Sequence, residues 1–216
     1  VTNHTDATPD RTPWWRPIFA HPAALPTLIL GLLAARIGWH AFLSDITLVE
    51  DEAHYWEWAR HLDWSYYSKG PGVAWVIALS TRLFGDSEWA VRLPAAVSTA
   101  LGMLGAAAAA RWAFPGRREL PTLSALLYAL IPGFAISAML MTIDAPYLAC
   151  WMWAAAFATG AILRARHRLW LGCGLAIAAG FLFKYTILLL VPSIILAAWT
   201  TRHARPPLSR PGDGGA

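Results

Sequence analysis

The sequence predicts an all-α, polytopic helical membrane protein. Three observations carry that expectation. Of the 216 residues, 57% are hydrophobic and only 14% charged, where a soluble domain carries about 25% charged residues. Several apolar stretches approach or exceed the ~20 residues that a helix needs to cross a bilayer. Arginines cluster between those stretches, as they do in cytoplasmic loops. That pattern accounts for the net charge of +4 without a nucleic-acid partner. The 13 tryptophans suit interfacial belts. About six transmembrane helices are expected, plus two interfacial amphipathic helices in the first outer loop.

The elements follow in order. Residues 1–20 are polar and proline-rich and read as a disordered cytoplasmic tail that ends near the interface at Trp14 and Trp15. The membrane module covers 21–200. Residues 22–43 form its first span, expected to be retained because it is long and lacks a small-residue cleavage site. The outer loop occupies 44–90. Within it, residues 72–85 are apolar but cover only roughly 21 Å against the ~30 Å hydrocarbon core, so they are expected to lie flat in the outer interface. Residues 91–113 span, as do 120–140, with a kink at Pro132-Gly133. Residues 145–163 follow. A single helix over 169–199 would be about 46 Å long, too long for one crossing. Two short helices, 169–183 and 185–199, are expected instead, with Lys184 at the turn. Residues 201–216 read as a disordered tail. Cys150 and Cys173 sit in apolar segments and read as small core residues.

Arg11/Arg16, Arg111/Arg117/Arg118, Arg164/Arg166/Arg168 and Arg202/Arg205/Arg210 are all expected on the cytoplasmic side. Asp51, Lys69, Arg92, Asp144 and Lys184 then share the outer side. Ionisable groups at the edge of hydrocarbon are functional candidates. A helix over 51–62 would place Tyr55, Trp58, Ala59 and Leu62 on one face, with His54, Glu57, Arg60 and His61 elsewhere, and would lie on the membrane surface. Asp51 at its start reads either as an N-cap or as a general base whose pKa is raised by partial desolvation. Asp144 before Ala145-Pro146 has the same two readings, cap or site. Lys69, Arg92 and Lys184 read as snorkelling cations or as phosphate contacts. His54 and His61 read as a surface face, not a metal site.

Several runs resemble one family. They are Asp51-Glu52-Ala53-His54-Tyr55-Trp56-Glu57-Trp58, Tyr66-Tyr67-Ser68-Lys69-Gly70-Pro71-Gly72-Val73-Ala74-Trp75, Leu83-Phe84-Gly85-Asp86 and Val91-Arg92-Leu93-Pro94. Thr142-Ile143-Asp144-Ala145-Pro146 and Gly180-Phe181-Leu182-Phe183-Lys184-Tyr185 continue the likeness. Together they resemble membrane glycosyltransferases of the GT-C superfamily, in the branch of protein O-mannosyltransferases and bacterial aminoarabinose transferases (family 39). The resemblance implies a polyprenyl-phosphate-linked sugar donor and transfer on the extracytoplasmic side. It implies Asp51 as the catalytic aspartate, Glu52 as its companion and Asp144 as the second acid. Lys69 matches a position that contacts the lipid phosphate in the aminoarabinose branch; Tyr67, Arg92 and Lys184 are further phosphate candidates. Many members have Pro-Pro after that lysine, where this chain has Gly-Pro-Gly. Members also continue with more spans, so the chain is expected to be an N-terminal module.

Glycosyl transfer from a lipid phosphate needs a base for the acceptor and cations for the departing phosphate. A divalent cation is compatible with that chemistry but not implied by it. The expected function is a glycosyltransferase of the bacterial inner membrane, its site facing the periplasm or exterior, with a lipid, glycan or protein acceptor. The competing expectations are an inactive polyprenyl-lipid-binding or assembly subunit, and a transporter or flippase with ionisable groups in mid-span.

Overall fold

The computed structural model describes residues 13–67 and 69–204, with side chains as far as residue 201. Arg11, Arg205, Arg210 and most of both expected tails lie outside the described residues. All regular structure among the described residues is helical. The helices are α1 (Arg16–Ala20), α2 (Ala24–Gly38), α3 (Glu50–Arg60), α4 (Gly72–Phe84), α5 (Glu88–Ala113), α6 (Leu120–Leu130), α7 (Pro132–Ser137), α8 (Asp144–Leu163), α9 (Leu169–Phe181) and α10 (Leu190–Ala204). A π-turn at Trp39–Leu43 extends α2, and a 3-10 turn at Tyr185–Leu189 leads into α10.

Three helical stretches are long and apolar enough to cross a membrane: Ala24–Leu43, Glu88–Ala113 and Asp144–Leu163. The other segments expected to span are shorter apolar helices. The kink expected at Pro132 is a break. A proline ring excludes the residue before it from the α region, and Ile131 is extended with ψ 120°. The 120–140 segment is therefore split into α6 and α7. The break expected at Lys184 is present, with that residue extended at φ −152°, ψ 121°. The tails are shorter than expected: Arg16–Ala20 is helical, and α10 runs on to Ala204.

The centre of the fold is α5 against α8, with α6 packed on α5 and α9 on α8. Small residues let these backbones approach. A Cβ at Gly105 would lie 3.0 Å from Met152 Cβ and 3.1 Å from the Trp153 backbone nitrogen. Trp153 Nε1 donates across the same seam to the Leu101 carbonyl at 3.0 Å.

One hydrogen bond ties α4 to the bundle, and one glycine ends it. Pro94, inside α5, has no N–H to donate to the Ala90 carbonyl one turn back. The Ser80 hydroxyl, from α4, donates to that carbonyl at 2.6 Å in a buried position. Gly85 ends α4 at φ +87°, a left-handed conformation that costs a residue with a side chain. A buried cluster then joins α3, α4, α5 and the segment before α8: Tyr55, Val73, Ile77, Val91, Met141 and Phe183 all belong to it. The functional candidates stand on this cluster.

Candidate functional site

Helix α3 begins at Glu50 with Val49 as its N-cap. Asp51 is therefore inside the first turn and is not the cap. The cap function falls to Glu52, whose Oε2 accepts the Val49 N–H at 3.1 Å, the half of a capping box that the third helical residue supplies. The helix also ends early, at Arg60, so the expected face is shortened: Tyr55 and Ala59 are buried, while Leu62 lies beyond the helix and is exposed.

Neighbouring residues on a helix point about 100° apart, and Asp51 and Glu52 have opposite fates. Asp51 is exposed, while Glu52 is fully buried at 0%. Glu52 pairs with Arg92, itself 2% exposed, through Nη2–Oε2 at 2.8 Å and Nε–Oε1 at 3.0 Å. Arg92 Nη1 donates to the Ile46 carbonyl at 2.9 Å, and Nη2 also donates to Thr47 at 3.0 Å. The guanidinium is thus committed to the protein. Both groups are taken up by protein partners, an arrangement other than the phosphate contact expected of Arg92.

Asp144 opens α8, and its N–H donates to Thr142 Oγ1 at 3.3 Å. Its carboxylate pairs with Lys184 Nζ at 3.0 Å, each side chain being close to half exposed. The Lys184 ammonium also stands 5.5 Å from the ring centroid of Tyr147, within cation–π range. Thr186 Oγ1 is 3.1 Å from the Tyr147 hydroxyl. One helical turn after Asp51, Tyr55 is buried in the same cluster as Ile143 and Ala145, the residues on either side of Asp144. Burial pushes its phenol above the ordinary tyrosine range, and the charges of Asp51 and Asp144 add to the effect. The phenol therefore keeps its proton at neutral pH. Tyr55 was assigned only to an apolar face from the sequence; the i,i+4 spacing from Asp51 was the signal for more.

The Lys69 turn docks on the Lys184 turn. Gly72 N–H donates to the Leu182 carbonyl at 3.0 Å. A Cβ at Gly70 would run into that carbonyl, and one at Gly72 would come within 2.9 Å of Phe183 Cε1. Gly70 and Gly72, on either side of Pro71, are needed for this approach. Lys69 makes no ion pair among the described residues. Tyr67 belongs to the same turn as Lys69. Backbone bonds between Tyr66 and Lys69 close a tight turn, and Tyr67 sits fully exposed on it. Among the described residues its side chain pairs with none of Asp51, Asp144 and Lys184.

Asp51, Tyr55, Asp144 and Lys184 thus converge at one end of the bundle, with the Lys69 turn packed beside them. Carboxylates next to accessible cations suit a reaction that takes a proton from one group and stabilises an anion on another. This is a helical membrane module with an acid–cation site on its rim. Residues 68–212 match the dolichyl-phosphate-mannose-protein mannosyltransferase family, and the chain belongs to that family, within the GT-C superfamily. It is 33% identical over 157 residues to the lipid A galacturonosyltransferase RgtD of Rhizobium johnstonii, covering 72% of this chain and 33% of that protein. The chain thus spans about a third of that relative's length. No solved structure matches. The family match begins after Asp51 and Glu52, so their placement beside Asp144 rests on the fold.

Proposed function

We propose that this chain is the donor-site module of a membrane glycosyltransferase. It would move a sugar from a polyprenyl-phosphate donor to a lipid, glycan or protein acceptor on the extracytoplasmic side of a bacterial inner membrane. The observation behind the reading is that Glu52, next to Asp51, bonds the Met141 N–H three residues before Asp144, while Asp144 pairs with Lys184, on segments distant in sequence. Asp51 is exposed and without a hydrogen-bond partner among the described residues, free to take the acceptor proton. Asp144 would orient the acceptor. Lys184 and Lys69 would stabilise the departing lipid phosphate, which lowers the need for a metal. The relative named above makes a galacturonosyl donor and a lipid A acceptor the first pair to try.

The test uses membranes containing the full chain, supplied with polyprenyl-phosphate sugars, with release of the lipid phosphate as the readout. Asp51→Asn should remove at least 100-fold of the rate, within the range of general-base contributions. Undiminished transfer at a normal protein level would rule out Asp51 as the base.

A further inference from the structure

We infer that Glu52 is a positioning residue: its buried carboxylate clamps the segment carrying Asp144 onto the helix carrying Asp51. The inference rests on the glycosyl-transfer reading above and assigns Glu52 a part in it other than proton transfer.

Four pieces of chain meet at this carboxylate. Oε1 accepts the Met141 N–H at 2.7 Å and Arg92 Nε at 3.0 Å. Oε2 accepts the Val49 N–H at 3.1 Å and Arg92 Nη2 at 2.8 Å. Arg92 carries the connection on to the carbonyls of Ile46 and Thr47. The loop before α3, α3 itself, α5 and the segment before α8 are therefore tied at one point. Glu52 has no lone pair turned towards solvent, so it has no route to a substrate proton.

The bond to Met141 matters most. Residues 138–143 lie between two helices and lack a full backbone ladder; Thr142 N–H reaches only to the Leu140 carbonyl, at 3.0 Å. Met141 is three residues before Asp144 and is wholly buried. Its N–H points at a charged acceptor, which makes a stronger bond than a neutral one. On the other side of the clamp, Glu52 adjoins Asp51 directly. One side chain thus sets the relation between the two acids, while the Lys69 and Lys184 turns are held separately by Gly72 and Leu182.

The experiment compares wild type, Glu52→Gln and Glu52→Asp, purified as full chains and assayed with polyprenyl-phosphate sugar. Glu52→Asp keeps the charge for Arg92 but shortens the reach by one methylene. A 1 Å misplacement can cost about 100-fold in rate, so both variants should lose about that much kcat while the donor KM stays within about twofold. The Met141 amide, followed by hydrogen exchange, should lose its protection in both. Unchanged kcat, a loss confined to KM, or a Met141 amide as protected as in wild type would each overturn the proposal. Failure of both variants to fold would also overturn it, because the clamp would then serve the whole fold and not the site. A wild type that transfers no sugar would instead refute the glycosyl-transfer reading, an outcome separate from these.

Discussion

Arg92→Met removes the positive half of a pair in which neither member sees solvent: Arg92 is 2% exposed and Glu52 0%. The carboxylate left behind keeps two backbone N–H donors, from Val49 and Met141, but loses its counter-ion. Breaking a buried pair by removing one partner costs about 3–5 kcal/mol, most of it from the uncompensated charge. For a chain of this size each kcal/mol moves the midpoint by about 2–4 °C, so the variant should melt roughly 6–20 °C lower. Arg92→Lys should fall between, since one ammonium cannot serve the carboxylate and both carbonyls in the same fork geometry. Thermal unfolding in detergent, followed by near-ultraviolet circular dichroism, measures this. A shift within about 1 kcal/mol, accompanied by loss of donor binding, would overturn the buried-pair account. It would mean that Arg92 is hydrated and faces the phosphate.

Lys184→Met should behave in the opposite way. Its pair with Asp144 is close to half exposed and such pairs contribute about 0–1 kcal/mol, so stability should hardly move while kcat/KM for the polyprenyl-phosphate donor drops at least tenfold; unaltered kcat/KM would remove Lys184 from the phosphate site. Ser80→Ala leaves the Ala90 carbonyl buried without a donor and should cost about 1–3 kcal/mol in the same melting assay; a loss under about 0.5 kcal/mol would show that another group satisfies it. Glu119 is 1% exposed and bonded to Arg117 at 2.7 Å and Arg16 at 3.0 Å; the hydrogen bond from Arg117 chiefly holds its carboxyl below the ordinary range. A depressed folded-state pKa gives stability that is present above the unfolded value, about 4.3, and is lost as pH falls through the lower folded value. The melting difference between wild type and Glu119→Gln should therefore be constant from pH 7 to about 5 and shrink below about 4; a difference independent of pH would contradict the assignment.

The positions of Asp51, Asp144 and Lys184 were legible in the sequence because each is an ionisable group at the end of an apolar run. The break at Lys184 followed from length alone. Other features depend on packing that periodicity does not encode. Whether Asp51 or Glu52 turns inward is set by where α5 presents Arg92, and both acids read alike in the sequence. Pro132 announces a disturbance, but whether a helix bends or stops depends on whether Ile131 can leave the α region there. Tyr67 stands in the same tight turn as Lys69, but that its ring is wholly exposed could not be read from a position two residues away.

Gly70 and Gly72 press against Leu182 and Phe183 with no room for a methyl group, which has an evolutionary consequence. The outer loop is not a cassette that relatives could exchange freely. A Pro-Pro version, as in many members of the family, requires a different path for the chain near Lys184. Changes at positions 70–72 and 182–183 are therefore expected to have been accepted together, and a chimera that swaps one without the other should misplace the two lysines against each other.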